Sequence, residues 1–81
     1  MPLEWKQYKY GSGVVADLGH GLLLTVDYES TKRLEQGAPP FNVTVFGRRL
    51  EQRSASLEAG KERARAVATK WLLEAQQKLQ D

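Results

Sequence analysis

The side chains with the most pronounced chemistry in this sequence are cations, and they are clustered. Between Arg48 and Lys70 stand Arg48, Arg49, Arg53, Lys61, Arg63, Arg65 and Lys70 against Glu51, Glu58 and Glu62, a local charge of +4 in a chain whose formal charge is +2. Grouped guanidinium and ammonium heads suit a phosphate backbone, because each neutralised phosphate releases condensed counterions. Arg48, Arg49, Arg53, Arg63 and Arg65 are therefore candidate nucleic-acid contacts. Tyr8 and Tyr10 beside Lys6 and Lys9 offer base-stacking surfaces if they face solvent. The competing reading of the same block is a mixed-charge solvated helix face, which Glu58 and Glu62 interrupt and on which Glu62 pairs with neighbouring helical cations.

Catalytic chemistry is less well served. The chain has no cysteine and one histidine, which removes disulfides, zinc–thiolate sites, Cys nucleophiles and a metal site made of histidines alone. His20 lies between Gly19 and Gly21, far in sequence from any serine with a supporting acid, whereas nucleophilic catalysis needs base and orienter within hydrogen-bond reach. Asp17 and Asp27 fall on neighbouring strands, but the register below separates them, and split carboxylate pKa values require a cleft that a small domain lacks. The Gly-Ser-Gly and Gly-His-Gly runs have no strand-to-helix context, so they do not read as phosphate-binding loops. A non-catalytic domain without cofactor or metal is expected.

The elements that position these groups follow from turn signals and periodicity. Gly11-Ser12-Gly13 and Gly19-His20-Gly21 divide the first part into strands over Glu4–Tyr10, Val14–Leu18 and Leu22–Glu29. Ser30–Pro40 is polar, ends in Gly37-Ala38-Pro39-Pro40, and reads as a loop. Phe41–Arg49, rich in β-branched and aromatic residues, is the fourth strand. With Gly19-His20-Gly21 as the turn, Leu18 faces Leu22, Ala16 faces Leu24 and Val14 faces Val26, which puts six apolar residues on one side. In the first hairpin one register turns Leu3 and Trp5 inward and the other Tyr8 and Tyr10; the first is favoured.

From Leu57 to Leu79 the apolar period becomes helical. Leu57, Gly60, Ala64, Val67, Ala68, Trp71, Ala75 and Leu79 form one stripe, with Ser56 as N-cap and Glu58 in the first turn. The expected fold is α+β: a four-stranded antiparallel meander with one long C-terminal helix packed across one face, a single domain over residues 1–81 with the sheet over about 3–49. One helix covers one face. The other face is predicted to show Val15, Leu23 and Phe46 with Thr25, Thr44 and Arg48, while Leu73 points away from the helix stripe. Val15, Leu23, Phe46 and Leu73 are thus candidate interface residues for another protein or a second copy.

The order Trp5, the Gly11–Gly13 turn, Leu18-Gly19, Phe41 to Phe46-Gly47, then Ser56-Leu57-Glu58-Ala59-Gly60-Lys61 resembles short bacterial and prophage-encoded domains. In those, a tryptophan-bearing meander leads into an amphipathic helix with a Ser/Thr-Leu-Glu cap. Most are without assigned function, so the resemblance implies context rather than activity. Gly60 to Trp71, with its repeated alanines, is also similar to the C-terminal helix of double-stranded-RNA-binding domains, although that family's N-terminal helix and Lys-Lys-x-Ala-Lys start have no counterpart here.

Composition bounds the rest. Eighty-one residues, 41% hydrophobic and 27% charged, suit one globular domain and no second core. The start lacks the basic and apolar regions of a signal peptide, and Leu22-Leu23-Leu24 is the longest aliphatic run, far short of the roughly 20 residues a membrane span needs. A cytoplasmic binding domain with no membrane partner is the expectation. Its partner is a protein or a second copy, with nucleic acid as the alternative.

Overall fold

A computed structural model of the chain describes residues 3–7, 13–28 and 39–80. Strands β1 (Trp5–Gln7), β2 (Val14–Asp17), β3 (Leu23–Tyr28), β4 (Phe41–Val45) and β5 (Arg48–Arg49) form one antiparallel sheet in the order of the sequence, and α1 (Leu57–Gln80) follows. The α+β meander with one long helix is as expected, except that the sheet has five strands rather than four. Tyr8, Tyr10, Gly11 and Ser12 of the first turn, and most of the polar loop lie outside the described residues.

The hairpin register holds residue by residue. Val14 pairs with Val26 and Ala16 with Leu24, and the Leu18 amide donates to the Leu22 carbonyl at 2.9 Å. Gly19, His20 and Gly21 all have positive φ, and the glycines make that conformation accessible at two of the three positions. Asp17 Oδ1 accepts from the Gly19 amide at 2.7 Å, closing an Asx-type turn. Trp5 pairs with Ala16 and packs against the core, so the inward reading of Leu3 and Trp5 is the one adopted.

The fourth predicted strand, Phe41–Arg49, is in fact a hairpin. Phe46 and Gly47 have φ of 53° and 82°, the left-handed pair that a tight two-residue turn uses, and Val45 pairs with Arg48 across it. Phe46 at positive φ is strained, since a Cβ crowds the following carbonyl there. The ring's contact with Trp71, centroids 6.2 Å apart, offsets that cost. The turn also reverses two expected placements. Phe46 and Arg48 lie on the helix side, not the open face: Phe46 packs against the core, and Arg48 shares the cross-strand row of Trp5, Ala16, Leu24 and Val45.

Helix α1 begins as its sequence dictates, with Ser56 Oγ accepting from the Ala59 amide at 3.1 Å and Glu58 in the first turn. It crosses β3 and β4 and buries Gly60, Ala64 and Ala68 on Leu24, Val26, Val43 and Val45. Small residues on one side let the axis come close. A Cβ built on Gly60 would stand 2.7 Å from Val26 Cγ1.

The stripe packs as predicted through Trp71 and then leaves the sheet behind. Every residue from 72 to 80 is exposed, including Ala75 and Leu79, which the periodicity assigned to the buried face. The reason is length. At about 1.5 Å per residue the 24-residue helix is roughly 36 Å long, whereas the six residues of β3 span roughly 20 Å. Among the described residues no helix is long and apolar enough to cross a membrane.

Candidate binding site on the open sheet face

The uncovered face is assembled by strand alternation. Lys6, Val15, Thr25, Thr44 and Arg49 form one row straight across all five strands. Asp17 pairs with Leu23 on one side of it and Asp27 with Asn42 on the other. Thr25 and Asn42 are only 7% and 6% exposed, so the middle of this face is closed by its own neighbours. Recess and apolar surface concentrate instead near β1 and β2. There Glu4, Lys6, Val15, Asp17 and Leu23 line an open concavity of about 420 Å³, with Leu23 41% exposed.

The four candidate interface residues therefore do not make one surface. Val15 and Leu23 stand together in the concavity. Phe46 is folded against Trp71, and Leu73 is exposed on α1, across the sheet from the other two. Their separation has a local cause: the left-handed turn rotates Phe46 out of the strand alternation that placed it beside Leu23.

The arginines are dispersed as well. Residues 63 and 65 differ by about 200° around a helix. Accordingly Arg63 Nη1 donates to Gln52 Oε1 at 2.9 Å beside the segment after β5, while Arg65 lines the opposite edge with Leu3 and Leu18. Arg48 lies with Cζ 5.9 Å from the Trp71 ring centroid on the helix side, and its neighbour Arg49 belongs to the open-face row. Arg53 is half-buried, next to Ser54, the residue that bridges to Phe41. Lys61, which the sequence counts in the same block, sits over Trp5 at 5.9 Å and pairs with Glu58 at 3.5 Å. A block compact in sequence thus becomes several separate cations, most of them engaged within the fold.

One carboxylate on the open face is electrostatically marked. Burial pushes the Asp27 carboxyl above its ordinary value, and the nearby positive charge of Arg49 works against that rise. Folding thus disfavours the ionised form. Asp27's contribution to stability is complete below the unfolded value near 3.9 and is lost as pH rises through the higher folded-state value. Replacing Arg49 with Gln is expected to move the Asp27 midpoint further up in a side-chain NMR titration, and an unchanged midpoint removes Arg49 as its partner.

Among the described residues no three His, Cys, Asp or Glu side chains come together as a group that could hold a metal ion. The architecture places the chain in the α+β class, as an antiparallel meander backed by one helix. No family model matches it, and neither the curated proteins nor the solved structures give a match.

Proposed function

We propose that this protein is a non-catalytic interaction domain that binds another protein through the open face of its sheet. The observation that carries this reading is the concavity in which Val15 and Leu23 form an apolar floor rimmed by Glu4, Lys6 and Asp17. An apolar centre with a charged rim is the general anatomy of a protein contact. The rim carries both signs, so it favours a partner segment with one apolar anchor and flanking polar groups over a uniformly charged polymer. The Asp17 carboxylate is already held by the Gly19 amide, which keeps the rim in a fixed geometry. A cytoplasmic setting belongs to the same proposal.

A photo-activated cross-linking residue at position 23 tests it in the source cell. The expected result is a discrete covalent adduct with one partner protein, lost when Val15→Asp is added and not reproduced from position 73. Lack of any adduct at position 23, or equal labelling from both positions, removes the reading; an adduct of the chain with itself makes the open face a self-association surface.

Nucleic-acid binding, the alternative drawn from the basic block, has less support because Arg65 lies at the opposite edge from Arg63, while Arg48 stacks on Trp71 and Arg63 is hydrogen-bonded to Gln52. Fluorescence anisotropy with a generic duplex at two salt concentrations addresses it. The expected result is no salt-dependent binding, whereas a steep salt dependence abolished by Arg48→Gln and Arg63→Gln would restore it.

A further inference from the structure

Strand β1 ends the sheet, and its outer edge carries hydrogen-bonding groups and charges in an order complementary to itself. Among the described residues no strand lies beyond it. Which main-chain groups point outward follows from the ladder. The Leu18 amide donates to the Leu22 carbonyl, so by alternation Ala16 and Val14 also bond to β3, while Val15 and Asp17 turn their groups toward β1. The Phe46 amide donates to the carbonyl of Leu23, the partner of Asp17, which fits the same alternation. Lys6 lies opposite Val15, and Glu4, one place beyond the Trp5–Ala16 pair, lies opposite Asp17. Lys6 and Glu4 are thus turned to β2, and the main-chain groups of Leu3, Trp5 and Gln7 are directed away from the sheet. The side chains divide at the same residues: Leu3 and Trp5 pack on the helix side, whereas Glu4 and Lys6 stand on the open face.

We propose that two copies join edge to edge through β1, antiparallel about a two-fold axis at Trp5, into one continuous sheet. Every antiparallel register is two-fold, so symmetry does not choose among them; hydrogen bonding and charge do. Outward groups must meet outward groups, and an axis that pairs at least two of the residues Leu3, Trp5 and Gln7 lies at Glu4, Trp5 or Lys6. Axes at Glu4 and Lys6 set two glutamates or two lysines directly opposite, which is destabilising. The axis at Trp5 sets Glu4 against the partner's Lys6 and Lys6 against the partner's Glu4, in the non-hydrogen-bonded positions where side chains come closest. It alone pairs all three outward residues: Trp5 exchanges both main-chain bonds with its counterpart, and Leu3 meets Gln7. A lysine on an edge strand discourages strand addition; here Glu4 answers it in one register only. Helix α1 rests on β3 and β4, about 10 Å or more back from the joined edge, so the two helices do not collide. The inference does not rest on the open-face reading. Val15, Asp17 and Leu23 keep their concavity, and the two Leu23 residues stand five strand spacings apart, about 24 Å.

The contact is one strand wide, so the dimer is weak, and sedimentation velocity on the full chain up to about 1 mM is the test. Wild type is expected to shift from monomer to dimer. Glu4, Lys6 and Gln7 are exposed, so their side chains can be changed with little effect on the core. Glu4→Lys and Lys6→Glu each create two like-charge contacts and are expected to weaken the dimer about tenfold or more. The double variant, which exchanges the two charges, is expected to restore it. Gln7→Pro removes an outward N–H but no bond to β2, and is expected to weaken the dimer where Gln7→Ala does not. A wild type that stays monomeric throughout, single-charge or proline variants that dimerise as wild type does, or a double variant that stays monomeric overturns the proposal. Loss of dimer in Leu23→Asp with full retention in Glu4→Lys also overturns it, and assigns self-association to the open face.

Discussion

Gly60→Ala is expected to destabilise this protein by about 1–2 kcal/mol, although alanine is the best helix former and glycine among the worst. In an exposed helix the same substitution stabilises by about 1 kcal/mol. Here the added methyl meets Val26 Cγ1 at 2.7 Å and approaches Val43 Cγ2 at 3.6 Å, both on a rigid sheet. Overpacking of this kind costs typically about 1–3 kcal/mol, so sterics outweigh propensity. Urea unfolding reads the difference directly. Val26→Ala should cost less in the Gly60→Ala background than in wild type, since it removes the atom that clashes, with a coupling of about 0.5–3 kcal/mol between the two sites. A Gly60→Ala variant more stable than wild type would mean that the helix does not sit this close to the sheet.

Trp71→Ala should cost more, about 2–4 kcal/mol. Complete removal of a buried tryptophan costs about 3–5 kcal/mol, and Trp71 is only half-buried. It is, however, the last partly buried residue of α1, touching Phe46 and lying under the Arg48 guanidinium. Its loss leaves Phe46 with the strain of a positive φ and without the contact that offsets it. The consequence is a reversal of sign. Phe46→Asn, which creates the Asn-Gly pair preferred in such turns, should destabilise wild type and stabilise the Trp71→Ala background. If Phe46→Asn has the same sign in both, packing on Trp71 is not what holds Phe46 in place. Thermal unfolding is sensitive enough to decide, since 1 kcal/mol shifts Tm by about 4–8 °C in a domain of this size.

Local rules were legible in the sequence, and geometry that depends on distant boundaries was not. Six alternating apolar residues around Gly19-His20-Gly21 admit one register, and the structure adopts it. The helical stripe identified the packing face of α1 and its Ser56 cap. Yet periodicity reports which side of a helix is apolar, not what lies beneath it, so Ala75 and Leu79 read as buried when the sheet had already ended. The Phe46-Gly47 turn was hidden because its first residue is a strand former; Gly47 inside an apparent strand was the available sign. The candidate site was only half legible. Val15 and Leu23 come together, but Phe46 is turned away by that hairpin, and Arg63 and Arg65 are parted because neighbours in sequence are not neighbours on a helix.

The meander order has a further consequence, for the time at which the fold becomes protected. Each strand pairs with the one before it, so the sheet can form progressively as the chain leaves the ribosome. Its inner surface of Leu24, Val26, Val43 and Val45 has no cover until the stretch from Gly60 to Trp71 arrives. At synthesis rates of about 5–20 residues per second that interval lasts about 1–4 s. For those seconds the nascent chain presents an apolar surface flanked by short, pairing-competent edges, and the arrival of α1 both completes the fold and ends its exposure to aggregation.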